Sequence, residues 1–294
     1  MATPQPGIFA QGTRSHRLLE FDLRPGTPAP AALAALQPLR QPSTAAGGVN
    51  IVIGFGPSLW RTLAAGSAPQ ALTEFPVVEG APATQHDVWV WCHGTGDDAL
   101  LDVTRRVAAL LAPIATVADE VAGFVYHDSR DLTGFIDGTE NPPVEEAFRV
   151  ATLPDGVPGA GGSFAITQRW VHDLDAFDAL PLAEQEGIIG RTKPDSVQLE
   201  PEVRPASSHV TRMVIEEDGE ELAIYRRSVP FGNVAQHGLQ FIAFSAAPDR
   251  FTKMLRRMFG SDDGVHDRLT EFSVPVTGAY WFVPSLEALG DALG

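Results

Sequence analysis

One cysteine, Cys92, is all that the 294 residues contain. An intramolecular disulfide is excluded, and so is a zinc or iron–sulfur cage built on thiolates. Basic residues are scarce as well: 21 Lys and Arg stand against 37 Asp and Glu, a net charge of −16 with neutral histidine. Such an excess of acid repels phosphate, so neither nucleic acid nor an anionic membrane is an expected partner. No apolar run approaches the ~18 residues that a membrane span needs. The opening Met1-Ala2-Thr3-Pro4-Gln5-Pro6 has no basic segment followed by an apolar one, the pattern of a secretory signal. Together these absences predict a soluble, cytoplasmic protein. The eight histidines show no paired spacing such as His-Glu-x-x-His.

What is present is an ordinary globular mixture, 44% hydrophobic and 20% charged, enough for one large domain or two modest ones. The first fifteen residues read as a loose arm. Residues 16–24 alternate, with Leu19, Phe21 and Leu23 on one side, as a half-buried strand does. A helix near 29–40, a strand through Val49, Ile51, Ile53 and Phe55, and a short helix over Pro57–Leu63 follow. Residues 87–93 read as a strand, 98–112 as an amphipathic helix and 121–127 as a fourth strand. This β-α-β-(α)-β-α-β order is ferredoxin-like. The second half repeats it in element order: a strand over 162–171, helical stretches over roughly 172–190, strands at 209–215, 222–229 and 238–245, helices near 247–259 and 265–271, and a closing strand over 280–283. The expected fold is α+β, with tandem ferredoxin-like halves, antiparallel sheets and helices outside, resembling a dimeric α+β barrel. The boundaries are an arm over 1–15, a first half over 16–130 and a second half over 131–294. A deep pocket is expected between the layers or beside the second half.

The connection over 128–162 is dense in Gly, Pro, Asp and Thr, and long loops inside compact chains are often functional. It contains Gly134-Phe135-Ile136-Asp137-Gly138-Thr139-Glu140-Asn141-Pro142. Gly138 permits a turn or close approach to a flat ligand, and a carboxylate set between apolar Ile136 and that turn can serve as acid or base. Asp-Gly and Asn-Pro are also common turn sequences. His209, in Ser207-Ser208-His209-Val210-Thr211, stands at the mouth of a predicted strand, and imidazole is the commonest metal ligand. A lone histidine is more often structural. In Tyr225-Arg226-Arg227-Ser228, strand alternation lets only one of the two arginines enter a pocket, and Ser228 shares the side of Arg226. Gly190-Arg191-Thr192-Lys193 offers cations for a carboxylate or phosphate, or simply ends a helix.

Each motif alone is weak, but the order GFIDGTENP, GRTK, SSHVTRM, IYRRSVPFG resembles the dye-decolourising peroxidases, most closely their B-type group. The resemblance runs from the first predicted strand to the final TGAYWFVPS. It implies one haem b per chain, hydrogen peroxide as substrate, small aromatic electron donors such as dyes and phenolics, and a homo-oligomer. Carried over position by position, His209 matches the proximal iron ligand, Asp137 the distal aspartate and Arg226 the distal arginine. Ser228 stands where some relatives have Asn, and Arg191 matches a residue that meets a haem propionate. Gly138, Thr139 and Glu140 match the haem edge. Asp267 resembles the carboxylate that accepts a hydrogen bond from the proximal imidazole, with Asp262 and Asp263 close by in sequence. The alternative is a protein that binds, stores or strips haem, which would have no use for Asp137 and Arg226. Five Trp and three Tyr could relay electrons, and the sequence selects none of them.

Overall fold

Alternation decides the strands. In Val88–Gly94, Trp89 and Trp91 enter one apolar cluster while Val88, Val90 and Cys92 enter another on the opposite side. The computed structural model describes residues 2–39 and 48–293. Its first half runs β1 (Ser15–Leu23), α1 (Ala29–Leu36), β2 (Asn50–Phe55), α2 (Pro57–Leu63), β3 (Val88–Gly94), α3 (Asp97–Leu111) and β4 (Ala115–Phe124). The predicted helix at 29–40 ends in a 3-10 turn over Gln37–Leu39, and residue 40 lies outside the described residues. After α4 (Val144–Ala151), the second half runs β5 (Ser163–His172), α5 (Leu174–Asp178), α6 (Leu182–Ile189), α7 (His209–Met213), a small hairpin of β6 (Glu216–Glu217) and β7 (Glu220–Glu221), β8 (Tyr225–Arg226), β9 (Val229–Gly232), β10 (His237–Ser245), α8 (Asp249–Met258), β11 (Ser273–Pro275), β12 (Ala279–Val283) and α9 (Leu286–Leu293).

The order β5-β12-β2-β3-β1-β4-β9-β10, with β10 pairing back onto β5, closes eight strands into an antiparallel barrel. Short β11 and β8 lie along β5 and β10. The α+β reading holds, and closure removes free sheet edges. The two halves meet at narrow seams: Phe282 opposite Phe55, and Gly123 opposite Phe231. The barrel interior holds a stack of Trp91, Trp89 and Trp281, with ring centroids 6.2 and 6.1 Å apart. Helices cover outward faces; α3 buries Leu100, Thr104, Val107 and Leu111, one side of a 3.6-residue turn.

The structure corrects several expectations. The first residues are not loose. Gln5, Gly7 and Ile8 are buried, and Gln5 bonds to Ile53 on both its amide O and N. The strand placed at 121–127 is Ala115–Phe124 and stops before His127, which adopts a left-handed φ of 47°. The strand placed at 209–215 is the helix α7. Val210 and Thr211 favour extended chain, but the Ser208 side chain accepts the Thr211 N–H and caps a helical turn instead. The strand placed at 222–229 is broken into β8 and β9, where Ser228 Oγ takes the Ile242 N–H at 3.3 Å. The helix placed at 265–271 is one 3-10 turn, Arg268–Glu271, capped by Asp267. The elements α4, β11 and α9 were not anticipated, although Pro143 followed by Glu145 and Glu146 is a legible helix start for α4.

At the seam between β4 and β9, a Cβ on Gly123 would lie 2.5 Å from Val229 Cγ2. Gly123→Ala is therefore expected to lower stability by about 1–3 kcal/mol, the cost of overpacking, read from the urea midpoint. An unchanged midpoint would mean that the seam yields without cost.

Candidate functional site

A cavity opens on the outer face of β5 and β10, where Ile166, Gln168, Trp170, Leu239 and Phe241 form its floor. Phe251, Met254, Leu255 and Met258 of α8 wall one side, and α7 contributes His209, Val210 and Met213. Asp131, Thr133, Asp137 and Glu140 enter from the 128–162 connection, and Arg226 and Ser228 from the broken strand. The pocket thus lies beside the second half, one of the two expected places.

His209 is the first residue of α7. Its Nδ1 lies 2.6 Å from Oδ2 of Asp267, a side chain with no exposure to solvent. The other Asp267 oxygen accepts the Leu269 N–H at 2.9 Å. A carboxylate on Nδ1 fixes the proton there and leaves Nε2 as the free lone pair; that nitrogen has no protein partner among the described residues. Asp262 and Asp263 are engaged elsewhere, by Arg256 and Arg212. Among the described residues no group of three or more His, Cys, Asp or Glu could hold a bare metal ion.

Asp137 Oδ1 accepts the N–H of Gly138 at 2.7 Å, and Gly138 has a φ of 79° that an L side chain rarely adopts. Withdrawal from water raises the Asp137 pKa above the carboxylate range, and nearby Asp131 adds to it, against the opposing pull of Arg226 and His209. Arg226 is held by its main chain. Its N–H donates to Asn141 Oδ1, and its carbonyl accepts from Asn141 Nδ2, both at 2.8 Å. The Arg226 guanidinium donates no hydrogen bond within the described residues. Asp137, Arg226 and Ser228 also line a second hollow, with Gly138, Tyr126 and Tyr225, to which His209 does not contribute. These three residues thus stand between two spaces.

Arg191 is buried after α6, whose Gly190 cap takes a left-handed φ of 92°. It donates to Ser196 O at 2.6 Å and forms an ion pair with Glu140. Burial, then the nearby Arg226 and Arg204, lower its pKa. The structure therefore gathers Asp137, Glu140, Arg226, Ser228, His209 and Asp267 around one cavity, with Arg191 tied to its rim through Glu140 and Gly138 on the second hollow. Thr139 lines neither space. Sequence reasoning read Asn141 only as part of a turn and gave no role to Asp131, His172 or Ser273, which form a hydrogen-bonded chain in the cavity wall. Their separations of 41 and 101 residues leave no local signal.

Residues 5–125 match the N-terminal domain of Dyp-type peroxidases, and residues 128–288 match the C-terminal domain. The chain belongs to the Dyp-type peroxidases. It is an enzyme of the haem peroxidase kind. It is 40% identical over 255 residues to a dye-decolorizing peroxidase of Rhodococcus erythropolis, covering 84% of this chain and 75% of that one. A dye-decolorizing peroxidase of Mycobacterium tuberculosis is 38% identical over 82% of this chain and 75% of its own. Among solved structures, DyPB of Rhodococcus jostii RHA1 superposes with a TM-score of 0.92 at 35% identity, covering 98% of this chain and 97% of that one. A dye-decolorizing protein of V. cholerae gives 0.88 at 39% identity, over 98% and 99%. The B-type assignment agrees with these neighbours.

In this Dyp-type peroxidase, Asn141 is the bracket for Arg226. Asn141→Ala would strand an N–H and a carbonyl, so it is expected to cost about 1–3 kcal/mol per unsatisfied group. Urea denaturation reads the loss, and Asn141→Asp, which keeps the acceptor, should recover part of it.

Proposed function

We propose that His209 is the axial ligand of haem b and that Asp137 and Arg226 act on hydrogen peroxide in the same cavity. The observation that carries the reading is the His209 imidazole, locked on a buried carboxylate through Nδ1 and open at Nε2, sharing an apolar cavity with an acid and an unengaged guanidinium, while His172 in the same wall has both ring nitrogens engaged. The residues fit a flat, largely apolar ring: apart from Gln168, the floor and the α8 wall are Ile, Leu, Phe, Trp and Met, and His209 Nε2 is the free donor. Rhodococcus jostii DypB variants, 34–35% identical to this chain, were solved in complex with heme. Bound in the cavity, the haem supplies the iron that takes up the oxidising equivalents of peroxide and returns them to donors.

The remaining chemistry is the chain's own. Asp267 holds the His209 proton on Nδ1 and adds electron density to Nε2. Asp137 Oδ1 is occupied by the Gly138 N–H, which leaves Oδ2 to take the proton of peroxide's inner oxygen and return it to the outer one. Arg226, fixed by Asn141, donates to the negative charge that develops on the departing oxygen. Ser228 offers a hydroxyl on the same side. Arg191, paired with Glu140 at the rim, would hold a haem propionate, and Gly138 and Glu140 would border the ring. Bulky donors such as dyes and phenolics react at that edge or through a surface aromatic. The cysteine usage suits a reducing cytoplasm, and no described helix is long and apolar enough to cross a membrane. A homo-oligomer completes the reading.

The purified protein is expected to show the Soret band of bound haem, and His209→Ala to lose that axial signature in its visible spectrum. Retention of the signature would remove His209 from the iron. Arg226→Leu is expected to slow the first reaction with peroxide ~10²-fold or more, measured by stopped flow.

The pH dependence has a defined sign. Asp137 must be ionised to accept a proton, and burial keeps it protonated to a higher pH than an ordinary carboxyl. The peroxide reaction should therefore fall as pH drops through this raised value, and Asp137→Asn should abolish that limb along with most of the rate.

A further inference from the structure

A third aspartate in the wall of the cavity has no part in the chemistry above. Asp131 Oδ1 accepts the N–H of Thr133 at 2.8 Å and its hydroxyl at 2.6 Å. Its Oδ2 lies 3.2 Å from His172 Nε2, and His172 Nδ1 lies 2.8 Å from Ser273 Oγ. His172 thus has both ring nitrogens engaged, Nε2 by Asp131 and Nδ1 by Ser273. Ser273 faces His172 in register across β11 and β5. Asp131, Thr133, His172 and Ser273 all line the cavity.

The same residue shapes the loop that ends in Asp137. Asp131 N–H donates to Phe135 O and Gly134 N–H to Asp131 O, both at 2.9 Å. Asp137 N–H closes onto Ser129 O at 3.0 Å. Arg130 ties Gly134 O at 2.8 Å to Lys193 O at 2.9 Å. The loop is thus bolted to the second half on two sides.

We propose that Asp131 is a positioning residue for Asp137: anchored by His172 and Ser273, it fixes the loop and keeps a permanent negative charge within electrostatic reach of the carboxyl that handles the proton. This rests on the role given to Asp137 above. Burial alone would raise Asp131, but the hydrogen bond and the charge attraction of His172, with the hydrogen bonds from Thr133, outweigh it and hold the group below the usual carboxylate range. Asp137 faces Arg226 from β8, His209 from α7 and Asp131 from its own loop, with Glu140, His172 and Asp267 farther round the wall. Of these, Asp131 is the like charge that opposes the release of its proton.

The test uses the haem-loaded enzyme and two readouts. One is the acid limb of kcat/KM for peroxide. The other is the infrared carbonyl band of a protonated buried carboxylic acid, assigned to Asp137 by its absence from Asp137→Asn. Asp131→Asn is expected to move both to lower pH, so that below the wild-type limb the variant exceeds the wild type severalfold. Asp131→Glu should bring both back toward the wild type. His172→Phe removes a donor from Asp131 and lets it take up a proton earlier, so it should move both in the same direction by less. Damage to the loop alone would lower the rate at every pH and leave the limb in place, and that result overturns the proposal. So does a shift to higher pH. If Asp131→Asn does not fold, His172→Phe decides by the same criterion. If Asp137→Asn keeps the wild-type acid limb, the reading of Asp137 fails, and the infrared titration alone decides whether Asp131 governs its proton.

Discussion

The hydrogen bond from His209 to Asp267 is the contact on which the rest of the site depends. A carboxylate with no solvent exposure is tolerable only when its oxygens are engaged, and Asp267 has both engaged, by the His209 ring and the Leu269 N–H. The pair therefore fixes the ring's orientation and its tautomer together. Its backing is equally tied down. Asp267 N–H donates to Met258 O at the end of α8, and Arg268 N–H reaches Ser207 O just before α7. The five-residue α7 could not hold its place by helix propensity. Arg212, buried within it, donates twice to Asp263 and twice to Arg257 O. The histidine is thus set by a short helix clamped to the end of a long one.

The barrel supplies the rigid floor. Neighbours in a strand face opposite sides, so β5 and β10 send Ala165, Ile242 and Phe244 into the cluster that holds Trp89, Trp91 and Trp281 and present Ile166, Gln168, Trp170 and Phe241 to the cavity outside. The Arg226-Arg227 pair straddles this boundary. Arg226 faces the cavity, while Arg227 lies over Trp91 at 5.3 Å and donates to Ile8 O and Ala10 O. The chain's first residues thereby brace the strand that carries the candidate distal arginine, and Gln11 adds a bond to the Tyr225 hydroxyl. All five Trp, and Tyr225 and Tyr280, are buried in the packing, leaving Tyr126 as the half-buried member of the set.

Most of this architecture was legible where burial writes a period into the sequence. β1, β2, β3, β5 and β10 alternate or run apolar, and they stand within a residue or two of where alternation places them. Strand parity also put Arg226 and Ser228 on one side, which survives the break between β8 and β9. What escaped is set by contacts between distant residues. Barrel closure rests on seam pairs such as Gly123 with Phe231, which no local pattern announces. α7 reads as a strand because Val210 and Thr211 are β-branched, and only the Ser208 cap and the Arg212 clamp override them. Asn141 escaped for a related reason: its side chain imitates a neighbouring strand, offering Arg226 one donor and one acceptor.

Three aspartates line one cavity, and their surroundings, not their identity, separate them. Asp267 takes a ring N–H and a backbone N–H; Asp131 takes a ring N–H, a backbone N–H and a hydroxyl. Asp137 takes only the Gly138 N–H on one oxygen. It is the carboxyl least compensated for its withdrawal from water, so it is where burial prevails over hydrogen bonding and where a proton can come and go. Arg226 attracts the charged form without donating a hydrogen bond to it, which tempers the burial cost and leaves the second oxygen open. A tighter pairing of these two would neutralise both groups and leave neither to act on peroxide. The Asn141 bracket, by holding Arg226 through its main chain, keeps the guanidinium available without fastening it to the acid.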